Sequence, residues 1–488
     1  MTISQLPHPL VASAWLVAAL AMTPPAEAQT SLDFISEQGP TVDRIVKDAL
    51  SQPRAHARLV TLCDRHGHRL SGSPGLEAAL DWAVTTMRAE GHANVGREEV
   101  EVPQWIRGSE SATVLTPRRV PLAMLGLGNS VGTPPEGIQA EVVTVATEKG
   151  LKALGESVRG KIVLFNNPMP KWTTENGPCY GETVQFRVNG PSMAATQGAV
   201  GVLVRSVTAR SLRTPHTGTL FYQEGTTRLP AAAISTEDAD FIARRQAAGE
   251  TVTVDLRMDA HWGDPVKSAN VVAELRGREL PEEIVIVSGH MDSWDVGQGA
   301  HDDGSGVVMA METIAALKRL GIQPRRTIRV VLWTNEENGM AGAKQYLKSH
   351  AAELPNHVAA IEADLGGFAP SAFGVKIADE AKQSRAVVEL ETLLGHVNRH
   401  GVGATGDLFI KPGASAPDVY RFANEGVPAI GLYTHDEHYF DYHHTEADTV
   451  DKVDPEELAR STAALTVLTW LVAEMPTRLG AEEGAASH

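Results

Sequence analysis

Several histidines and carboxylates of this 488-residue chain follow apolar runs of strand length, where they could hold metal ions. Residues 284–303, IVIVSGHMDSWDVGQGAHDD, place His290 and Asp302 after one such run. A second run, TIRVVLW, leads into Glu336 and Glu337. Open α/β sheets place their chemistry at the carboxyl ends of buried strands. We therefore expect these two strand ends to deliver a histidine and several carboxylates to one site.

Five residues from four separate stretches form the candidate metal set. They are His290, Asp302, Glu337, Asp364 and His444. Imidazole and carboxylate donors without a thiolate suit zinc or a similar first-row ion. Five ligands are too many for one catalytic zinc, but they suffice for two ions that share one carboxylate. Two ions about 3.5–4 Å apart can bind a hydroxide nucleophile, lower its pKa toward about 7 and stabilise an oxyanion.

Two further carboxylates have predicted roles beside these ligands. Neighbours on an extended segment point to opposite sides, so Glu336 need not ligate when Glu337 does, and it is the candidate general base. Asp292, two residues after His290, could orient the imidazole. Taken alone, Asp364 would be a helix cap or a surface carboxylate, and the pair Glu336–Glu337 a solvated face. Only the joint pattern favours a metal site.

The elements that must position these residues alternate between strands and helices. Helical patterns in VVMAMETIAALKRL, GAKQYLKSH, SRAVVELETLLGHV and PEELARSTAALTVLTWLVAEM lie between or after the strand-like runs IVIVSG, TIRVVLW, HVAAIEAD and VPAIGLY. Such alternation predicts an α/β fold whose mixed sheet is largely parallel, with helices on both faces.

The length favours more than one domain. We predict a catalytic domain made of residues 31–130 and 263–476, interrupted by an insert at residues 131–262 and followed by a flexible tail at residues 477–488. The insert combines short strands with Gly/Pro turns, and its ionisable residues lack catalytic spacing. We expect it to shape or cover the site. Cys63 and Cys179 fall in different parts of this scheme and are expected to be free thiols.

Residues 1–28 are typical of an export signal, with an apolar run from Leu10 to Met22 and a cleavage site at Ala26-Glu27-Ala28. The run lacks the usual preceding Lys or Arg, since Arg44 is the first. We expect a periplasmic or extracellular protein whose mature chain begins at Gln29. Elsewhere no window is long and apolar enough to span a membrane. The net charge of −17 argues against nucleic acid and anionic membranes as partners.

The motifs GHMDSWDVGQGAHDDGSG, TNEEN, IEAD and HHTEADT resemble, in order and approximate spacing, those of the M28 family of zinc-dependent exopeptidases. The resemblance implies the zinc-exopeptidase (phosphorylase/hydrolase-like) fold, a protease-associated domain as the insert, and a homodimer. It also implies two zinc ions, with Asp302 as the bridge and a cis peptide between Asp302 and Asp303. One ion would have His290 and Asp364, and the other Glu337 and His444.

The same resemblance implies that Glu336 is the base and that Asp292 supports His290. His443 and His444 are adjacent, and the match HT-x-x-DT favours His444 as the last ligand. Further likeness in DRHGHRLSGSPGLEAALDW and VPQWIRGSESA points to carboxypeptidases within the family. We predict an exported di-zinc exopeptidase for dipeptides or short peptides with free termini. The alternatives are an aminopeptidase of the same family and a metal-free, receptor-like binding protein.

Overall fold

The structure is a computed structural model and describes residues 26–482. Most of the predicted export signal, and the last six residues of the predicted tail, lie outside this range. Within it the helices are, in chain order, α1 (Ala26–Ser51), α2 (Arg54–His66), α3 (Pro74–Ala89), α4 (Glu148–Leu154), α5 (Tyr180–Thr183), α6 (Gln185–Ala195), α7 (Thr236–Ala247), α8 (Ser305–Arg319), α9 (Ala341–Ser349), α10 (Glu380–Asn398), α11 (Tyr439–Tyr442) and α12 (Pro455–Glu474).

The strands of the same range form two large sheets and a short ribbon. They are β1 (Ala93–Val102), β2 (Trp105–Ile106), β3 (Glu110–Thr116), β4 (Val120–Pro121), β5 (Met124–Gly126), β6 (Ile138–Val145), β7 (Ile162–Phe165), β8 (Gly201–Arg205), β9 (Ala231–Ile234), β10 (Thr253–Met258), β11 (His261–Trp262), β12 (Val266–Leu275), β13 (Leu280–His290), β14 (Arg326–Trp333), β15 (His357–Ala363), β16 (Pro370–Lys376), β17 (Phe409–Pro412) and β18 (Ala429–Thr434).

The main sheet has the order β1-β12-β14-β13-β15-β18-β16-β17. Its four central strands, from β14 to β18, are parallel, whereas β1, β12 and β16 join by antiparallel pairing. This confirms the predicted mixed, largely parallel α/β sheet. Because the carboxyl ends of parallel strands share one edge, the loops that follow β13, β14, β15 and β18 converge there.

Helices cover both faces of this sheet, which explains the unbroken apolar run in β13. Val285 and Val287 point into a core with α2, α3, α8 and α12, whereas Ile284 and Ile286 face the opposite core with α9. A strand buried on both faces reads as a continuous hydrophobic segment. At the start of α12, the Asp454 carboxylate accepts hydrogen bonds from two backbone N–H groups, and Pro455 occupies the first turn.

The second sheet has the order β4-β3-β10-β6-β7-β8-β9-β5, with β6 to β9 parallel. It begins earlier than the predicted insert boundary at residue 131, because β3 pairs antiparallel with β10 and β5 with β9. The alternation of β3 indicates a strand but carries no information about its partner. Where the chain enters and leaves this sheet, β2 and β11 pair with each other.

The sequence predicts a flexible tail from residue 477, but in the structure the first residues of this tail pack against the rest of the protein. Leu479 is buried, Arg478 contacts Glu283, and the N–H of Gly480 donates to Glu389. The two cysteines are free, as predicted, and burial raises the pKa of Cys63 to about 12. Within residues 26–482 no helix combines the length and apolar character needed to cross a membrane.

Candidate metal centre

All five predicted ligands lie at the carboxyl edge of the main sheet. His290 is the last residue of β13, and Asp364 directly follows β15. Glu337 lies in the turn after β14, and His444 follows β18 and the short helix α11. Asp302 lies between β13 and α8, in a segment whose Asp302–Asp303 peptide is cis, as the family resemblance implies.

Asp302 lies between the two histidines. Its Oδ1 is 3.3 Å from Nε2 of His290, and its Oδ2 is 3.1 Å from Nε2 of His444. The His290 Nε2 is also 3.1 Å from Oδ1 of Asp364, while the His444 Nε2 is 3.1 Å from Oε2 of Glu337. Each imidazole nitrogen therefore faces one separate carboxylate and one oxygen of Asp302.

Backbone carbonyls hold both imidazoles in one orientation. Nδ1 of His290 donates to the carbonyl of Asp292 at 2.9 Å, and Nδ1 of His444 donates to the carbonyl of Thr217 at 3.2 Å. A neutral imidazole that donates from Nδ1 keeps a lone pair on Nε2. In this neutral form, both lone pairs would point toward the carboxylates, where a metal ion would be held.

The sequence predicts that the Asp292 carboxylate orients the imidazole of His290, but in the structure this carboxylate binds the backbone of Glu336 and Glu337. Its Oδ1 is 3.8 Å from Nδ1 of His290, whereas its two oxygens accept hydrogen bonds from the N–H groups of Glu336 (3.1 Å) and Glu337 (3.3 Å). Its carbonyl, not its side chain, orients the imidazole. The carboxylate instead fixes the turn that places Glu337 next to His444 and leaves Glu336 half-buried at the cleft.

Two carboxylates that were not predicted as site residues hold in place the main chain of the candidate metal-binding residues. Asp303 accepts hydrogen bonds from the N–H groups of His290 and Gly306, at 2.9 and 3.0 Å. Asp448 accepts from the N–H groups of His301 and Asp302, at 2.7 and 3.1 Å. Both carboxylates thus fix His290 and Asp302 through their main chain. Asp448 belongs to the HT-x-x-DT motif, so this motif could have indicated its role from the sequence.

A loop of the second sheet also contacts the last ligand. The N–H of Thr217 donates to the carbonyl of His444 at 3.0 Å, and Nδ1 of His216 donates to the carbonyl of His443 at 2.8 Å. These bonds join residues 216–217 to residues 443–444, although 227 residues separate His216 from His443. No local sequence pattern reveals such a contact.

Of the two adjacent histidines, His444 makes the shorter contacts. Nε2 of His443 is 3.7 Å from Oδ2 of Asp302, and its ring stacks on that of His444 with centroids 3.5 Å apart. His444 contacts both Asp302 and Glu337 at 3.1 Å. The geometry favours His444 as the ligand and places His443 beside it in the cleft.

The electrostatics of the site favour bound cations. Burial and, after it, the neighbouring Asp302 carboxylate raise the pKa of Glu337 to about 7. Burial opposes protonation of His444, yet Glu337 and Asp302 bring its pKa to about 9. Asp302 Oδ2 and Glu337 Oε1 are buried without a hydrogen-bond donor. Since buried carboxylates need positive partners, this imidazole and carboxylate donor set fits two divalent ions such as zinc.

Four of the five candidate ligands, all except His290, border a cleft of about 760 Å³. One wall comes from the main domain and includes Tyr420, Tyr433 and Tyr439. The facing wall comes from the second sheet and its helices and includes Tyr180 and Phe221. The second sheet therefore contributes directly to the space in which a substrate would lie.

A parallel-centred α/β sheet with two histidines and three carboxylates at its carboxyl edge defines the class of metal-dependent hydrolases. Residues 270–469 match the model of Peptidase family M28. Carboxypeptidase Q of Bos taurus is 40% identical over 429 residues, covering 88% of this chain and 87% of that protein. The chain belongs to peptidase family M28, and it is a metallopeptidase similar to carboxypeptidase Q.

Solved structures show the same relationship. The crystal structure of a Peptidase M28 precursor from Shewanella amazonensis SB2B has a TM-score of 0.84 and 34% identity, covering 91% of this chain and 98% of the other. BSAP, a zinc aminopeptidase from Bacillus subtilis, has a TM-score of 0.63 at 17% identity, covering 86% of this chain and 95% of the other. The second likeness is one of fold alone.

Proposed function

We propose that this metallopeptidase hydrolyses dipeptides or short peptides with free termini, acting as a dipeptidase or carboxypeptidase. The charge of the cleft carries the proposal. Among the described residues, its cationic lining residues are Arg187, Lys344 and Arg421, and its acidic ones are the candidate base and the candidate ligands Asp302, Glu337 and Asp364. An aminopeptidase needs an acidic group for the substrate amine, and this lining has none to spare. Cations match a terminal carboxylate.

The proposed ligand assignment follows the contacts. His290 and Asp364 would hold one zinc ion, Glu337 and His444 the other, and Asp302 would bridge them. When bound, the ions would polarise the scissile carbonyl and acidify the attacking water. The fixed Nδ1 donors of both histidines and the backbone bonds to Asp303 and Asp448 would keep this donor set in place during turnover.

Glu336 would move the proton. Burial raises the pKa of its carboxyl well above the usual range, and the neighbouring carboxylates of Asp364 and Glu337 add to the rise. Bound cations would counter this effect and return the group to its carboxylate form. Glu336 could then accept a proton from water and pass it to the leaving amine. Among the described residues, no hydrogen bond engages its side-chain oxygens, so they are available for this transfer.

The second sheet supports the proposed preference for short substrates. Its segment from Tyr180 to Val188, together with Phe221, stands opposite the metal ligands and closes one side of the cleft. A long peptide would have to pass this wall, whereas a dipeptide would fit between the wall and the metal ligands. Export and a homodimer, which the sequence and the family resemblance predict, remain part of this proposal.

A substrate panel with zinc present tests the proposal. The comparison uses a dipeptide, its C-terminal amide, its N-acetyl form and a tetrapeptide with the same first residue. We expect kcat/KM to be highest for the free dipeptide and to fall for the amide and the tetrapeptide. Equal rates on the amide and the tetrapeptide would replace this proposal with an ordinary aminopeptidase.

A further inference from the structure

Arg187 is a buried cation without an acidic partner. It lies in α6, only 7% of it is exposed, and it lines the cleft. Among the described residues no carboxylate forms an ion pair with it, and its Nε has no hydrogen-bond acceptor. A buried charge is costly unless an opposite charge or strong hydrogen bonds compensate it. The structure thus holds a desolvated guanidinium that faces the cleft with unused donors.

Among the described residues, the immediate neighbours of Arg187 give it no negative charge, although its guanidinium hydrogen-bonds the Tyr180 side chain. Its Nη1 is 3.4 Å from Nδ1 of His444, but that nitrogen already donates to the carbonyl of Thr217 and cannot accept. On another side, the guanidinium carbon lies 5.6 Å from the ring centroid of Tyr180, which gives a cation–π contact. Tyr180 and His444 therefore position the guanidinium without neutralising it.

Gly218 makes room for this arrangement. It has a φ of +134°, and a Cβ built on it would collide with Nη1 and Cζ of Arg187 and would lie 2.7 Å from Nδ1 of His444. A side chain at this position would displace the guanidinium. The loop that holds the imidazole of His444 is thus also shaped to admit Arg187.

We propose that Arg187 binds the C-terminal carboxylate of the substrate, an inference that rests on the proposed function. One imidazole ring separates its Nη1 from Nε2 of His444, which faces Asp302 and Glu337. Successive Cα atoms of a peptide are about 3.8 Å apart. A carboxylate one residue beyond the scissile bond would therefore lie about as far from the metal ligands as the Arg187 guanidinium does. A guanidinium can bind both oxygens of a carboxylate at once. Arg187 would therefore select substrates with a single residue after the scissile bond.

The other two cations of the cleft are less suited to this role. Lys344 is exposed, and its Nζ donates to the carbonyl of Gly339 at 2.7 Å. Arg421 is half-buried, and its guanidinium carbon lies 5.0 Å from the ring centroid of Tyr420. Neither contacts a candidate metal ligand. Arg228 is the matched control for Arg187, because it is exposed, lies outside the cleft lining, and has its guanidinium carbon 5.7 Å from the ring centroid of Tyr222.

The test measures kcat/KM of the zinc-loaded full chain for alanyl-alanine and for its C-terminal amide. In Arg187→Met we expect the rate on the acid to fall about 10²–10³-fold while the rate on the amide changes less than about threefold. Arg187→Lys, which keeps the charge but loses the two-pronged geometry, should restore part of the preference. Gly218→Ala should lower the same ratio with Arg187 still present. Arg228→Met should leave the ratio as in the unaltered protein.

Metal content separates this role from a purely positional one, because Arg187 touches His444. Elemental analysis of Arg187→Met should show the metal content of the unaltered protein. Loss of metal together with equal losses on both substrates would overturn the inference. An unchanged acid-to-amide ratio in Arg187→Met would overturn it too, while the proposed function stands. If the unaltered protein itself did not distinguish acid from amide, the proposed function would fall first.

Discussion

Among the described residues, Asp302 is the one carboxylate that contacts the imidazoles of both His290 and His444, so it connects the two halves of the candidate metal set. Replacing it by Ala should lower occupancy at both positions and abolish hydrolysis, since neither ion would keep its full set of ligands. Elemental analysis and a dipeptide assay measure this. Asp407→Ala, at an exposed carboxylate, is the control and should keep both ions. Two ions retained in Asp302→Ala would show that the bridging assignment is wrong.

Glu336 and Glu337 are neighbours with different surroundings, because Asp292 fixes the turn between them. Glu336→Gln keeps the size of the side chain but removes the proton acceptor. We expect metals to be retained and kcat to fall roughly 10²–10⁴-fold, the usual scale of general-base catalysis. The same change at the exposed Glu446 should leave kcat unaltered. An unaffected rate in Glu336→Gln would assign the base to another residue.

At the scale of elements, the segment between β13 and α8 carries Asp302 and depends on Asp448 for its position. Asp448→Ala removes the acceptor for the N–H groups of both His301 and Asp302. We expect metal affinity to fall about 10–100-fold, the usual effect of losing a group that orients a ligand. Competition with a chelator measures the affinity. Asp451→Ala, at a largely exposed carboxylate nearby, should match the unaltered protein, and equal affinities in both variants would count against this role.

The strand ends could be predicted from the sequence because apolar runs and the polar residues after them are local signals. His290 ends β13 and Glu337 lies in the turn after β14, so the parallel pairing of these strands brings both residues to one edge without further information. The same reasoning did not reveal the partners of the Asp292 carboxylate, whose hydrogen-bond donors, the N–H groups of Glu336 and Glu337, lie in the turn after β14. Side-chain direction within a loop depends on tertiary contacts, which periodicity does not encode.

The contribution of the second sheet to the site could not be predicted. Arg187 and Gly218 lie in a segment without catalytic spacing, and only the folded chain places them against His444. Likewise, β3 alternates like any half-buried strand, so its sheet could not be told from its sequence. Contacts between distant segments thus account for most of what the sequence left open.

At the scale of the whole molecule, we predict that the protein is exported from the cytoplasm. Cleavage after Ala28 would leave a mature chain that begins at Gln29, because the apolar run from Leu10 to Met22 would be removed as a signal. N-terminal sequencing of protein recovered from the periplasm or the medium measures this. Full-length protein found only in the cytoplasm would contradict the prediction.

The pairing of β1 with β12 has a consequence for how the chain is made. Val102 ends β1 and Val266 begins β12, so a ribosome produces the whole second sheet between two neighbouring strands of the main one. Until β1 is joined, β12 has an unpaired edge, and α3 lacks one of its two supporting strands. Pairing over such a distance is slow, and open edges promote aggregation. During synthesis, misassembly is therefore expected to begin at β12, whose other edge pairs with β14, the strand that leads into Glu336 and Glu337.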